Sequence, residues 1–158
     1  MAKATPPFTR MKRTLIIHMA VQLFLVVLLI YMALHFQASF INQGTPKVFL
    51  NSIIFSVILQ MLAFFPLKKL AEKEAKREVA ADSGNKLDAD AQKALRHSRL
   101  FSDIIKASIV TFVVLFIAMA PQLLFLLSTV FFTFILFTIT YFQCFNFAAK
   151  REMKEKSA

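Results

Sequence analysis

The sequence predicts an all-α integral membrane protein with four transmembrane helices and a cytoplasmic helical hairpin between the second and third. Hydrophobic residues make up 58% of the chain, including 19 Phe, and they fall in long blocks rather than in the short period of a soluble helix or strand. One long polar stretch, residues 66–102, separates two pairs of blocks. It is rich in charges and helix formers, and Gly84 breaks it in the middle, so it predicts two short helices.

Each apolar block is long enough to cross a bilayer. The first would be about 35 Å long as a helix, against a hydrocarbon core of about 30 Å. It is too long for a cleaved signal peptide, so we expect it to be retained. Pro121 predicts a tight turn between the last two blocks. The predicted segments are a basic cytoplasmic N-terminus (1–13), transmembrane helices 1 to 4 (14–36, 48–65, 103–120 and 122–149), the hairpin (66–102) and a charged, mobile cytoplasmic tail (150–158).

The hairpin is predicted to begin at a joint and to close on itself. Pro66 predicts a kink or a restart where the second span meets the polar stretch, because proline cannot donate a backbone hydrogen bond. Small or aliphatic residues recur every four positions on each arm, so we expect the arms to pack against each other and to project from the membrane. The seam would hold Ala71, Ala75 and Val79 on the first arm and Leu87, Ala91 and Leu95 on the second.

The basic residues predict the orientation. All 19 lysines and arginines except Lys47 fall in the N-terminus, in or just beyond the hairpin, or in the tail. The positive-inside rule then makes both termini and the hairpin cytoplasmic. We expect a multi-pass protein of a bacterial inner membrane. Its net charge of +10 would face an anionic inner leaflet, so nucleic acid is not an expected partner.

No pattern of catalytic chemistry is present in the sequence. It lacks a glycine-rich phosphate loop, a nucleophile elbow, a pair of catalytic carboxylates and the spacing of Cys and His that binds metals. We therefore predict no enzyme activity, no cofactor and no metal. The spans hold no charged residue at depth, which counts against proton-coupled transporters.

Two sets of polar residues are candidate sites. The first set lies on the membrane helices and supports either a polar pathway or, as we favour, contacts between helices. It consists of Gln22, which we expect to bond to His18 one turn away, and Ser52, Ser56, Gln60, Thr129, Thr133 and Thr140. The second set lies on the hairpin, as a candidate docking surface or as an ordinary solvated helical face. It consists of Lys73, Arg77, Lys93 and Arg96.

These observations favour a non-enzymatic accessory, scaffold or assembly subunit that binds a protein partner, or a second copy of itself, through the hairpin. One alternative is an insertase-like factor. The order of span, cytoplasmic hairpin, span and span is similar in outline to the core of the YidC/Oxa superfamily, although the extra first helix departs from it. That resemblance implies a hydrophilic groove facing the cytoplasm, for which Asn51 and Gln60 are the candidate residues. Another alternative is a small oligomeric channel, holin or solute carrier.

Overall fold

The chain folds into four long helices. The structure, a computed structural model, describes residues 8–82, 89–119 and 123–157. Its helices are α1 (Thr9–Asn42), α2 (Pro46–Asp82), α3 (Ala89–Met119) and α4 (Leu124–Ser157). The predicted all-α class is confirmed. Three helices, α1, α2 and α4, are long and apolar enough to span a membrane, and α3 contains a shorter apolar part, Lys106–Met119.

The helices run further than the predicted spans. A kink or a restart was expected at Pro66; α2 continues through this proline, so the helix does not restart there. α4 continues through the charged tail to Ser157, so the described part of the tail is helical. Packing against neighbouring helices explains both results. α2 is held against other helices on both sides of Pro66, and Lys76 of α2 lies 3.6 Å from Glu152 of the tail.

The most extensive interface in the fold joins α2 and α4, which run in the same direction. Ser52, Ser56 and Ser128 are fully buried here, and such small side chains allow two helices to approach closely within a membrane. The Ser56 hydroxyl donates to the Thr129 carbonyl oxygen across the interface at 3.2 Å. This contact fixes the register of the two helices.

The first helix packs antiparallel against α2 and α4. Phe8, Met11 and Leu15 join the first-arm residues Ala71, Ala75 and Val79 in a buried cluster with Phe145, Ala148 and Ala149. The predicted seam is therefore wrong for the first arm, because α1 and α4 cover its small residues. Of the second-arm partners, Leu87 and the side chains of Ala91 and Leu95 lie outside the described residues.

A carboxylate from α2 caps the start of α1. Phe8 occupies the N-cap position with φ of +38° and makes no capping hydrogen bond through its side chain. The Met11 backbone N–H donates instead to a carboxylate oxygen of Asp82 at 2.9 Å. A negative charge at a helix N-terminus is favourable because it offsets the helix dipole. The end of α2 and the start of α1 are thus tied together.

The third helix stands beside the other three. Among the described residues, α3 packs mainly on α4, and most of its described side chains are exposed, with Val113 the buried exception. At the far end of the bundle, Phe36, Phe40 and Phe132 form a separate aromatic core. The fold is therefore a packed three-helix bundle with α3 flanking it.

We expect Ala75→Leu to destabilise the bundle, because Ala75 is fully buried between α2 and its neighbours. Overpacking of this kind costs about 1–3 kcal/mol. Unfolding by SDS in mixed micelles would measure the change in the free energy of unfolding. Ala107→Leu on the exposed face of α3 is the matched control and should change stability by less than about 0.5 kcal/mol. Equal losses from the two substitutions would contradict the packing described.

Candidate functional site

A groove separates α3 from the three-helix bundle at the end that carries the basic residues. Its cavity has a volume of about 550 Å³ and is half open. The directions of the helices determine which residues line each end of this groove. Apolar residues line the inner end, and these are Leu67, Ile109, Val110, Phe134 and Phe137. Charged residues line the outer end, and these are Arg10, Arg77, Glu78, Asp82 and Asp103.

An ionic cluster lies between these two ends. The carboxylate of Glu74 on α2 is buried, with the residue 5% exposed. The Lys106 ammonium on α3 donates to this carboxylate at 2.7 Å and to the Tyr141 hydroxyl at 3.0 Å. The Tyr141 hydroxyl on α4 also donates to the Glu74 carboxylate. The Lys106 ammonium lies 5.0 Å from the centre of the Tyr141 ring, so it gains a cation–π contact as well.

This cluster joins three helices through one buried carboxylate. A buried charge is tolerated when it is paired and hydrogen-bonded, and losing one partner leaves an uncompensated charge. Glu74 has both a cationic partner and a hydroxyl donor. The cluster therefore holds α3 near the bundle at one level of the groove, while the other described residues of α3 make few contacts.

Two polar residues of α1 bond to α4 near the groove. His18 Nδ1 lies 3.2 Å from the side-chain oxygen of Asn146, and its ring lies between those of Phe142 and Phe145, with centroids 4.6 and 4.9 Å away. The Gln22 side-chain amide donates to the Ile139 carbonyl oxygen at 3.3 Å. The expected bond between His18 and Gln22 is therefore wrong, because both side chains lie on the α1 face that meets α4.

The predicted polar stripes of α2 and α4 face each other within their shared interface. The Gln60 side-chain amide donates to the Thr140 hydroxyl. Ser52 and Ser56 bond to carbonyl oxygens of their own helix. The hydroxyls of Thr129 and Thr133 are buried without a hydrogen-bond partner among the described residues. These side chains lie between helices and do not line the groove.

The structure describes the side chains of only two of the four predicted docking residues. Lys73 is exposed on α2. Arg77 lines the groove and lies 4.0 Å from the carboxylate of Glu78. The side chains of Lys93 and Arg96 lie outside the described residues.

Sequence reasoning missed the groove and its central residues. The candidate sites named from the sequence included neither Glu74 nor Lys106. One available signal was that Glu74 lies three residues after Ala71 of the small-residue seam, a spacing that places both on one side of the helix. Tyr141 and Asn146 gave no signal, because a polar residue in an apolar block does not indicate its partner. No set of three or more His, Cys, Asp or Glu side chains suited to a metal occurs in the described part of the chain.

We expect Glu74 and Lys106 to be energetically coupled. A double-mutant cycle with Glu74→Gln and Lys106→Met should give a coupling energy of about 1–3 kcal/mol, because the carboxylate is buried. Unfolding in mixed micelles would supply the four free energies of unfolding.

The Lys76–Glu152 pair is the matched control for this cycle. Its lysine side chain is 56% exposed, so the same cycle with Lys76→Met and Glu152→Gln should give less than about 1 kcal/mol. A coupling for Glu74 and Lys106 no larger than this control would show that the cluster does not hold α3.

The described side chains form a half-open cavity that is charged outside, apolar inside and tied across by one ion pair. Such a surface can bind an amphiphile. Compared with protein-family models, curated proteins and solved structures, the chain matches none of them.

Proposed function

We propose that the protein is a non-enzymatic membrane assembly factor that holds an amphipathic segment of a client protein in its groove. One observation carries the proposal: the cavity between α3 and the bundle changes from charged at its outer end to apolar at its inner end. A client segment that passes from water into lipid likewise leaves a polar environment and enters an apolar one. The groove would lower the free energy cost of this transfer.

The size of the groove fits a short segment of a client. Binding cavities for small molecules are about 300–1,000 Å³, and the groove of about 550 Å³ lies within this range. It is therefore large enough for a few side chains but not for a whole helix. A client helix would place one end in the groove and the rest against lipid.

The groove also supports the insertase-like hypothesis. That hypothesis requires a hydrophilic surface facing the cytoplasm, and the groove lies at the basic end, which the positive-inside rule assigns to the cytoplasm. The residues differ from those expected, because Gln60 lies in the α2–α4 interface and Asn51 is at the opposite end of α2. The polar part of α2 supplies the surface instead, together with the start of the apolar part of α3.

A docking role and an assembly role are compatible here, because both involve a protein partner at the basic end. The channel hypothesis has less support. The polar residues that would line its pore face each other between α2 and α4, and a pore would require this interface to open.

We expect a photoreactive phenylalanine analogue in the groove to crosslink to protein clients in living cells. Val110 on α3 and Phe137 on α4 are suitable positions, because both line the inner end of the cavity. Mass spectrometry of the adducts would identify what occupies it. Newly made membrane proteins are the expected products.

The control position is Phe112, which is on the same helix as Val110 but is 67% exposed and does not line the cavity. Lipid adducts without protein adducts are expected there. The same products at the groove positions and at Phe112 would overturn the proposed function.

A further inference from the structure

The charged parts of α1, α2 and α4 do not all begin at the same height along the axis of the bundle. His18 and Asn146 lie side by side on antiparallel helices, so Thr14 is level with Lys150. The apolar parts of α1 and α4 therefore end together. For α2, the contacts of Ser56 with Thr129 and of Lys76 with Glu152 place Lys68 level with residues 141 to 144. Charge thus begins on α2 about six to nine residues, or about 9–13 Å, closer to the bilayer centre than on α4.

A flat membrane surface cannot suit all three helices. A surface drawn at Lys68 would leave apolar side chains of α1 and α4 in water, with Ile16 67%, Ile17 52% and Phe147 76% exposed. A surface drawn at Thr14 and Lys150 would leave exposed lysines of α2 in hydrocarbon. An isolated ammonium is strongly disfavoured there, and a lysine stem is shorter than about 9 Å.

Three lysines lie in this recessed part of α2. Lys68, Lys69 and Lys73 are all exposed, and none forms an ion pair with a side chain of the described residues. Helix geometry places Lys69 and Lys73 together on the side of α2 opposite the buried Ala71 and Ala75.

We propose that Lys68, Lys69 and Lys73 bind the phosphate groups of anionic lipids that lie deeper than the surrounding headgroups. Lipid is the occupant that the geometry favours, because Lys69 and Lys73 point outward, and Lys68 is exposed beside them, at a depth where the other helices expose apolar residues to acyl chains. A headgroup drawn down beside α2 satisfies the lysines and leaves Ile16 and Phe147 in hydrocarbon. The bilayer is then thinner beside α2 than beside α1.

This lipid site borders the groove but does not depend on a client. Leu70, which lines the groove, is next to Lys69 in the sequence and is 48% exposed. Bound lipid would keep the outer end of the groove close to the bilayer centre. The site would exist even if the groove had another role.

Native mass spectrometry of the protein from nanodiscs of phosphatidylglycerol and phosphatidylcholine would test the proposal. In the variant K68Q/K69Q/K73Q, the amount of bound phosphatidylglycerol should fall about fivefold for each lysine removed. The loss should persist at about 1 M salt, where charges at the open surface are screened within about 3 Å. Glutamine is tolerated at exposed helix positions, so the fold should be retained.

The control variant K150Q/K154Q/K156Q removes three exposed lysines from the end of α4. At high salt it should retain phosphatidylglycerol as the unsubstituted chain does. Equal losses from the two variants would overturn the recessed site, because the lipid preference would then reflect net charge alone. Retention of phosphatidylglycerol by K68Q/K69Q/K73Q would overturn it as well.

Discussion

The parallel packing of α2 on α4 is the constraint on which the rest of the structure depends. Buried serines allow the two helices to approach closely, and the contact from Ser56 to Thr129 sets their register. Ala71 and Ala75 continue the interface beyond the apolar part of α2. The register places the polar part of α2 beside the last apolar turns of α4, so one helix exposes charge where its neighbour exposes hydrocarbon.

The groove follows from this arrangement. α1 covers the small residues of α2 together with α4, and α3 is left at the side of the bundle, joined to it through Lys106 and the buried Glu74 carboxylate. The groove between α3 and the bundle is polar at one end and apolar at the other, because charged turns of α2 and apolar turns of α3 and α4 line it. A fully closed four-helix bundle would have no comparable groove.

Composition predicted an all-α fold with four membrane spans, because long apolar blocks have few structural solutions. The structure has three helices long and apolar enough to span a membrane, and a shorter apolar part in α3. Composition did not predict the axial register of each helix relative to its neighbours. Pro66 indicated a joint, but packing on both sides of it keeps α2 continuous. The seam residues Ala71, Ala75 and Val79 were recognised as a packing surface, but their partners were misassigned. Contacts such as His18 with Asn146 depend on that placement, so no single block could reveal them.

The most direct test of this account measures the surroundings of Lys69 and Ile16 in a bilayer. Nitroxide labels would replace each residue in a Cys144→Ser background, and electron paramagnetic resonance would compare their accessibility to oxygen and to a water-soluble relaxation agent. The register of the helices places Lys69 nearer than Ile16 to the middle of the apolar segments. We nevertheless expect the label at 69 to be the more accessible to the water-soluble agent and the label at 16 to oxygen. Accessibility that follows depth alone, or two equally water-accessible labels, would contradict the register and the recessed polar surface.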